Sequence, residues 1–154
     1  MKKLNFLIII GVLAIASIAK AGVPDYVISE NEIKFYDKVR YGLTSSLVGV
    51  EETGRVRYNA NEVVAYRKNG RIYEKVPVIQ NNKETGRYTF MELLAYRNGM
   101  KVYREKLEGG LSNPEYDYFV YREGEFVVKF DERNSRTLSD FFFHTGLVAS
   151  GADK

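Results

Sequence analysis

Between Glu62 and Asp131 the chain writes one local pattern three times. Each copy is an apolar run, a Tyr-Arg pair, a tight turn at glycine and a second apolar run. The copies are Glu62–Lys75, with Val63-Val64-Ala65-Tyr66-Arg67 before Asn69-Gly70; Leu93–Lys106, with Leu93-Leu94-Ala95-Tyr96-Arg97 before Asn98-Gly99; and Tyr118–Phe130, with Phe119-Val120-Tyr121-Arg122 before Glu123-Gly124. Asn-Gly between apolar runs is the strongest short hairpin signal, because both residues accept the positive φ that a two-residue turn demands. A chain carrying three such turns is constrained to antiparallel β-structure. The expected hairpins are Glu62–Ile79, Tyr88–Leu107 and Tyr116–Asp131. Met91-Glu92-Leu93-Leu94 alone would suit a helix, but its match to the first copy assigns it to a strand.

The flanking sequence extends the same pattern. Tyr26–Ser29 and Glu32–Tyr41 read as strands. In the second, Ile33, Phe35, Val39 and Tyr41 share one parity, while Lys34, Lys38 and Arg40 share the other, as in a half-buried strand. Asp37 interrupts the apolar side and marks a bulge or bend. Leu47–Val50 and Val56–Tyr58 follow, with Asn59-Ala60-Asn61 as loop. Pro77 lacks an N–H and makes its arm an edge strand or a bulged one. Gln80–Arg87 and Glu108–Pro114 read as polar loops. Phe126, Val128 and Phe130 share one parity, the cleanest one-sided pattern in the chain. Phe141-Phe142-Phe143 fits a last strand, or a short helix capped at Thr137-Leu138-Ser139-Asp140.

Short turns and the absence of any 10–15-residue helical pattern between strands argue against βαβ units. The expected fold is all-β, an antiparallel meander of about eight short strands closing as a β-sandwich or small barrel.

Residues 1–21 stand apart. Lys2 and Lys3 precede an apolar run to Ile18, followed by Ala19-Lys20-Ala21, which together describe a secretory signal peptide. The run is shorter than the ~20 apolar residues of a spanning helix. The expected organisation is a cleaved leader (1–21), one all-β domain (22–146) and a loose tail (147–154). Lys2, Lys3 and Lys20 account for the whole net charge of +3, and positions 1–21 hold no acid, so the remainder is formally neutral. That gives no reason to expect nucleic acid or firm attachment to anionic lipid. The chain has no Cys, hence no disulfide or thiol chemistry, and its stability rests on the core. A membrane β-barrel would need one charge-free parity per strand, whereas Arg71–Val78 carries Arg71 and Lys75 on one and Glu74 on the other.

No residue set specifies a reaction. The three Tyr-Arg pairs, Tyr66-Arg67, Tyr96-Arg97 and Tyr121-Arg122, are the candidate binding residues. Arg offers a planar fork of donors and Tyr a flat face with a hydroxyl. Adjacent strand residues point to opposite faces, so one pair cannot line a single surface. His144 is the only His and reads as structural or simply exposed. Glu51-Glu52, Glu115/Asp117 and Asp131-Glu132 are the carboxylate pairs that a glycosidase-like dyad would draw on, but all sit in or beside expected loops rich in charge. No metal ligands, cofactor motif or nucleophile elbow is present. The sequence therefore points to a periplasmic or secreted, non-enzymatic domain. It would bind a glycan, cell-wall component or protein of the envelope through Tyr and Arg at hairpin ends and through the two polar loops, with no stable membrane insertion after leader removal. The alternatives are a barrel carrying a small apolar ligand and a carboxylate-based hydrolase. N-terminal sequencing of the protein exported by a bacterial host is expected to start at Gly22; a product that keeps Met1 and stays in the membrane fraction would remove the export assignment.

Overall fold

The computed structural model describes residues 23–30, 32–41, 46–107, 115–131 and 140–141. The leader, the Glu108–Pro114 segment, Glu132, His144 and the tail lie outside them. Apart from Phe141, so does the Phe141-Phe142-Phe143 run, whose assignment to strand or helix is left there. The described chain is all-β, with every strand pair antiparallel. Its strands are β1 (Asp25–Ser29), β2 (Ile33–Tyr36), β3 (Lys38–Tyr41), β4 (Ser46–Glu51), β5 (Gly54–Asn59), β6 (Val63–Lys68), β7 (Arg71–Gln80), β8 (Lys83–Arg97), β9 (Met100–Lys106), β10 (Tyr116–Arg122) and β11 (Glu125–Asp131). They exceed the eight expected because the chain breaks at Asp37 and turns where no glycine announces it. Among the described residues no helix is long and apolar enough to cross a membrane. The strands fall into two compact units, residues 1–72 and 73–154.

The first unit is a small sandwich. Strands in the order β6-β1-β2 form one layer and β3-β4-β5 the other. Asp37 is the crossing point: the chain leaves β2 there and enters the second sheet as β3, with the Asp37 N–H donating to the Val50 carbonyl at 3.1 Å. The polar interruption in an otherwise alternating run thus marks a change of sheet. Val27, Val39, Leu47 and Val63 are fully buried between and beside the layers. Tyr36 and Tyr58 meet edge to face with ring centroids 6.1 Å apart and share a hydroxyl–hydroxyl hydrogen bond. Tyr41 lies 6.3 Å from Tyr66. The buried Asp25 carboxylate ties the layers together, accepting from the Val39 N–H and from the Asn69 N–H, each at 2.9 Å.

The second unit is an open sheet in the order β11-β10-β9-β8-β7. All three expected turns are present. Asn69-Gly70, Asn98-Gly99 and Glu123-Gly124 have φ of 51° and 79°, 51° and 77°, and 53° and 92°. The first of them belongs to the first unit. A fourth turn corrects the expected loop Gln80–Arg87: Asn81 and Asn82, at φ of 51° and 60°, join β7 directly to β8. Asn tolerates the left-handed region without glycine, and this segment's polarity reflects exposure on both sides rather than a loop. Pro77 lies at a register shift between Pro77 and Ile79, the bulge that its missing N–H suggested.

The one-sided pattern expected of β11 is also corrected. Tyr121 pairs with Phe126 but Val120 pairs with Val128, so Val127 is an extra, bulged residue. The bulge puts Phe126 on one face, against Tyr121 at 5.8 Å, and Val128 and Phe130 on the other.

Gly49 on β4 is required for packing. A Cβ at this position would overlap the buried Tyr36 ring. Gly49→Ala is therefore expected to lower the unfolding free energy by about 1–3 kcal/mol, the usual cost of overpacking. Gly54→Ala, where the added methyl meets open space, should change it far less. Urea unfolding of both variants checks this; equal midpoints would contradict the close packing of Tyr36 on β4.

Candidate functional site

The inner face of the second unit is packed with side chains. Val76, Met91, Tyr103, Phe119 and Tyr121 form a buried cluster, with Ile79, Leu93 and Phe126 against it. Tyr103 and Tyr121 meet edge to face at 5.5 Å. Two polar contacts reach over intervening strands. The Tyr121 hydroxyl donates to the Pro77 carbonyl at 2.9 Å, and the Tyr103 hydroxyl donates to Glu74 Oε2 at 2.6 Å. Lys101 Nζ donates to the same oxygen at 2.6 Å and lies 6.0 Å from the Tyr96 ring. Burial raises the Tyr103 hydroxyl far above its ordinary value, and the Glu74 charge adds to it. Burial likewise pushes Tyr121 up to about 12, with help from Glu84 and Glu105.

The candidate residues of the Tyr-Arg pairs divide. Tyr66 is buried in the first unit's sandwich and Tyr121 in the second unit's inner cluster. Arg67 is buried too. Its Nη1 donates to the Val23 carbonyl at 3.0 Å and the Pro24 carbonyl at 3.5 Å, while its Nε has no hydrogen-bond partner. These three hold the framework together. Tyr96 is 42% exposed, and Arg97 and Arg122 are exposed at the hairpin ends, both opposite Met100. The second and third turns are neighbours, joined by the Glu123 N–H donating to the Gly99 carbonyl at 2.9 Å. Within each pair Tyr and Arg lie on opposite faces, as the alternation requires.

A surface that pair-by-pair reading missed lies on the outer face of the same sheet. One cross-strand row, Tyr73–Glu92–Arg104–Tyr118–Phe130, runs over all five strands. Beside it Lys75 pairs with Phe90, Pro77 with Tyr88, and Tyr116 with Lys106. Arg104 anchors the row. Its Nε and Nη2 donate to Glu92 Oε2 at 3.3 and 2.7 Å, and its guanidinium lies 4.6 Å from the Tyr116 ring centroid. Burial would lower the Arg104 pKa, but the Glu92 hydrogen bond and charge outweigh it and raise the net value. Lys75 Nζ lies 5.9 Å from the centroid of Tyr88, which is 61% exposed. Toward the hairpin ends this face becomes apolar, with Ala95, Val102 and Val120 buried and Phe141 packed at the edge, 5.5 Å from Phe130. Arg97 and Arg122 lie beyond that apolar patch. The signal available in the sequence was shared parity: Tyr73, Lys75 and Pro77, or Tyr116 and Tyr118, alternate with inward residues.

The carboxylates are arranged differently from a cleft dyad. Asp117 is buried and sits opposite Glu105 and Asp131 in the register, with Lys129 Nζ 2.5 Å from its Oδ2. Burial, then the Asp117 charge, raises the Glu105 pKa, with Lys129 opposing. Glu115 and Glu52 are exposed. Among the described residues no group of three or more His, Asp or Glu side chains could hold a metal ion.

Compared with protein-family models, with curated proteins and with solved structures, the chain matches none.

The buried tyrosines make the fold alkali-sensitive. Above a pH near 10.0 an unfolded chain releases tyrosine protons that the folded one keeps. The unfolded state then binds fewer protons, so stability falls as pH rises. Melting temperature is expected to drop between pH 10 and 12, and Tyr121→Phe, which removes the group held near 12, to flatten that drop. A melting profile level to pH 12 would contradict the burial of these hydroxyls.

Proposed function

We propose that this chain is an exported, non-enzymatic binding domain for an envelope or extracellular partner. Its contact surface is the aromatic and basic outer face of the second unit. The observation that carries this is the row from Tyr73 to Phe130 with Lys75, Tyr88, Lys106 and Tyr116 beside it. Flat rings interleaved with cations offer apolar area, hydroxyl donors and charge on one half-exposed sheet face, the combination that recognition surfaces favour. Ion pairing and stacking hold Arg104 and Lys75 in place, which lowers the entropy lost when a partner is bound. The inner face supports the same reading by contrast. It is filled with Met91, Tyr103, Phe119 and Tyr121, where a carrier of an apolar ligand would need a lined cavity of some hundreds of Å³.

Retention of the purified full-length protein on bacterial envelope preparations tests this. The native protein should be retained and released by salt, and Tyr88→Ala with Lys106→Glu should abolish retention without altering the far-UV circular dichroism. Undiminished retention of the double variant, or none by the native protein, would refute the assignment.

A further inference from the structure

We infer that the outer face of the small β3-β4-β5 sheet, in the first unit, docks on an anionic lipid surface through the phosphates of its headgroups. This relies on the export reading above but not on the contact surface proposed there. The argument starts from the register. Neither pairing in this sheet is shifted, so alternate rows face opposite sides. Buried Val39 and Leu47, and Gly49 beneath the Tyr36 ring, mark the inner side. The rows that alternate with them are Lys38–Val50–Arg55, Arg40–Val48–Arg57 and the pair Ser46–Asn59. They hold four cations and no acid. All four cations are exposed, and among the described residues none has an ion pair or a side-chain hydrogen bond. The acids of the same unit stand outside these rows. Asp25 is buried, its carboxylate taken by the Val39 and Asn69 N–H groups. Glu51 belongs to the inner side and meets Lys34 of β2 at 3.5 Å. Glu30 and Glu32 lie between β1 and β2, Asp37 at the bend before β3, Glu52 in the β4–β5 turn and Glu62 beyond β5.

The arrangement specifies what kind of anion. With β4 between β3 and β5, the cations stand at the corners of a patch about 10 Å across the strands and about 7 Å along them. Three of the four are Arg, whose fork of donors matches a phosphate in two-point contact. Half-buried Val48 and Val50 fill the space between the corners. No aromatic ring stands in these rows, so the patch lacks the stacking platform that a single-stranded nucleic acid or a sugar chain would use. A sheet face with charge at its corners and methyl groups at its centre suits a layer of phosphates over an apolar interior. Near such a surface each cation strengthens attachment about fivefold, and four together give a dissociation constant on the order of millimolar. That is too weak to retain the protein on an envelope alone. It raises the encounter rate with the surface, while the outer face of the second unit accounts for retention.

The test is co-flotation of the leader-processed protein, recovered from a bacterial host, with vesicles. One set is phosphatidylcholine alone and the other an equimolar mixture with phosphatidylglycerol; a duplex DNA oligonucleotide is titrated beside them. Binding to the mixed vesicles is expected at low ionic strength, falling as salt screens it. Neutral vesicles should bind at least about fivefold more weakly. Arg40→Gln and Arg57→Gln, both at exposed positions, should each weaken binding by roughly threefold to fivefold, the share of one interfacial cation. Lys83→Gln, which removes an exposed charge from the second unit, should leave it unchanged. Equal binding to both kinds of vesicle, tighter binding to the duplex, or indifference to both arginine variants would overturn the lipid assignment. Envelope retention that still depends on Tyr88 and Lys106 in those cases leaves the binding-domain reading standing. A host that yields only unprocessed protein in its cytoplasm removes the export reading, and this inference with it.

Discussion

Tyr121 donates its hydroxyl to the Pro77 carbonyl although β8 and β9 lie between their strands. Three strand spacings in a flat sheet come to about 14 Å, further than one tyrosine reaches, so this hydrogen bond requires the sheet to curl. The Tyr103 and Lys101 contacts to Glu74 reach over β8 in the same direction. The curl and its packing are one event: it brings Val76, Met91, Tyr103, Phe119 and Tyr121 together on the inside. What is left outside is then fixed by strand alternation. The residues next to those inward ones along each strand, from Tyr73 to Phe130, have no choice but the outer face.

With no disulfide to rely on, the chain uses tyrosine as a structural residue that is both apolar and hydrogen-bonding. A buried phenol leaves a polar atom that must be satisfied: the Tyr103 hydroxyl donates to Glu74, the Tyr121 hydroxyl to the Pro77 carbonyl, and Tyr36 and Tyr58 share one hydrogen bond between their hydroxyls. Glu74 in turn needs both of its donors, since a carboxylate this far from water is stable only when fully hydrogen-bonded. The result is a core whose polar contacts fix which faces meet, where aliphatic side chains alone would fix only that they meet.

How much of this was legible depends on which signal each element carried. The turns at Asn69-Gly70, Asn98-Gly99 and Glu123-Gly124 were readable because glycine leaves a specific mark. The turn at Asn81-Asn82 was not, because an Asn pair in a polar stretch looks the same as a loop. Val127 illustrates a deeper limit. Its bulge moves Phe126 to the face opposite Val128 and Phe130, and nothing in Glu-Phe-Val-Val-Lys-Phe announces an extra residue. Asp37 was legible as an interruption, but only the second sheet shows that the interruption is a change of layer. The Tyr-Arg pairs were legible as a repeat and misleading as a surface. The repeat recurs because each arm enters its turn with the same alternation, and that alternation buries Tyr66 and Tyr121.

The outer face was hidden for a different reason. Its residues lie on four or five strands, far apart in sequence, and none forms a motif with its neighbours. Register is the missing information: once Glu92 is set opposite both Tyr73 and Arg104, the placements follow by counting in twos as far as the next bulge, such as the shift between Leu93 and Ala95. The inner tyrosines bear on this as well. Because the hydrogen bonds of Tyr103 and Tyr121 set the curl, they also set the spacing between the outer rings, so the packing of one side determines the geometry that the other presents to a partner.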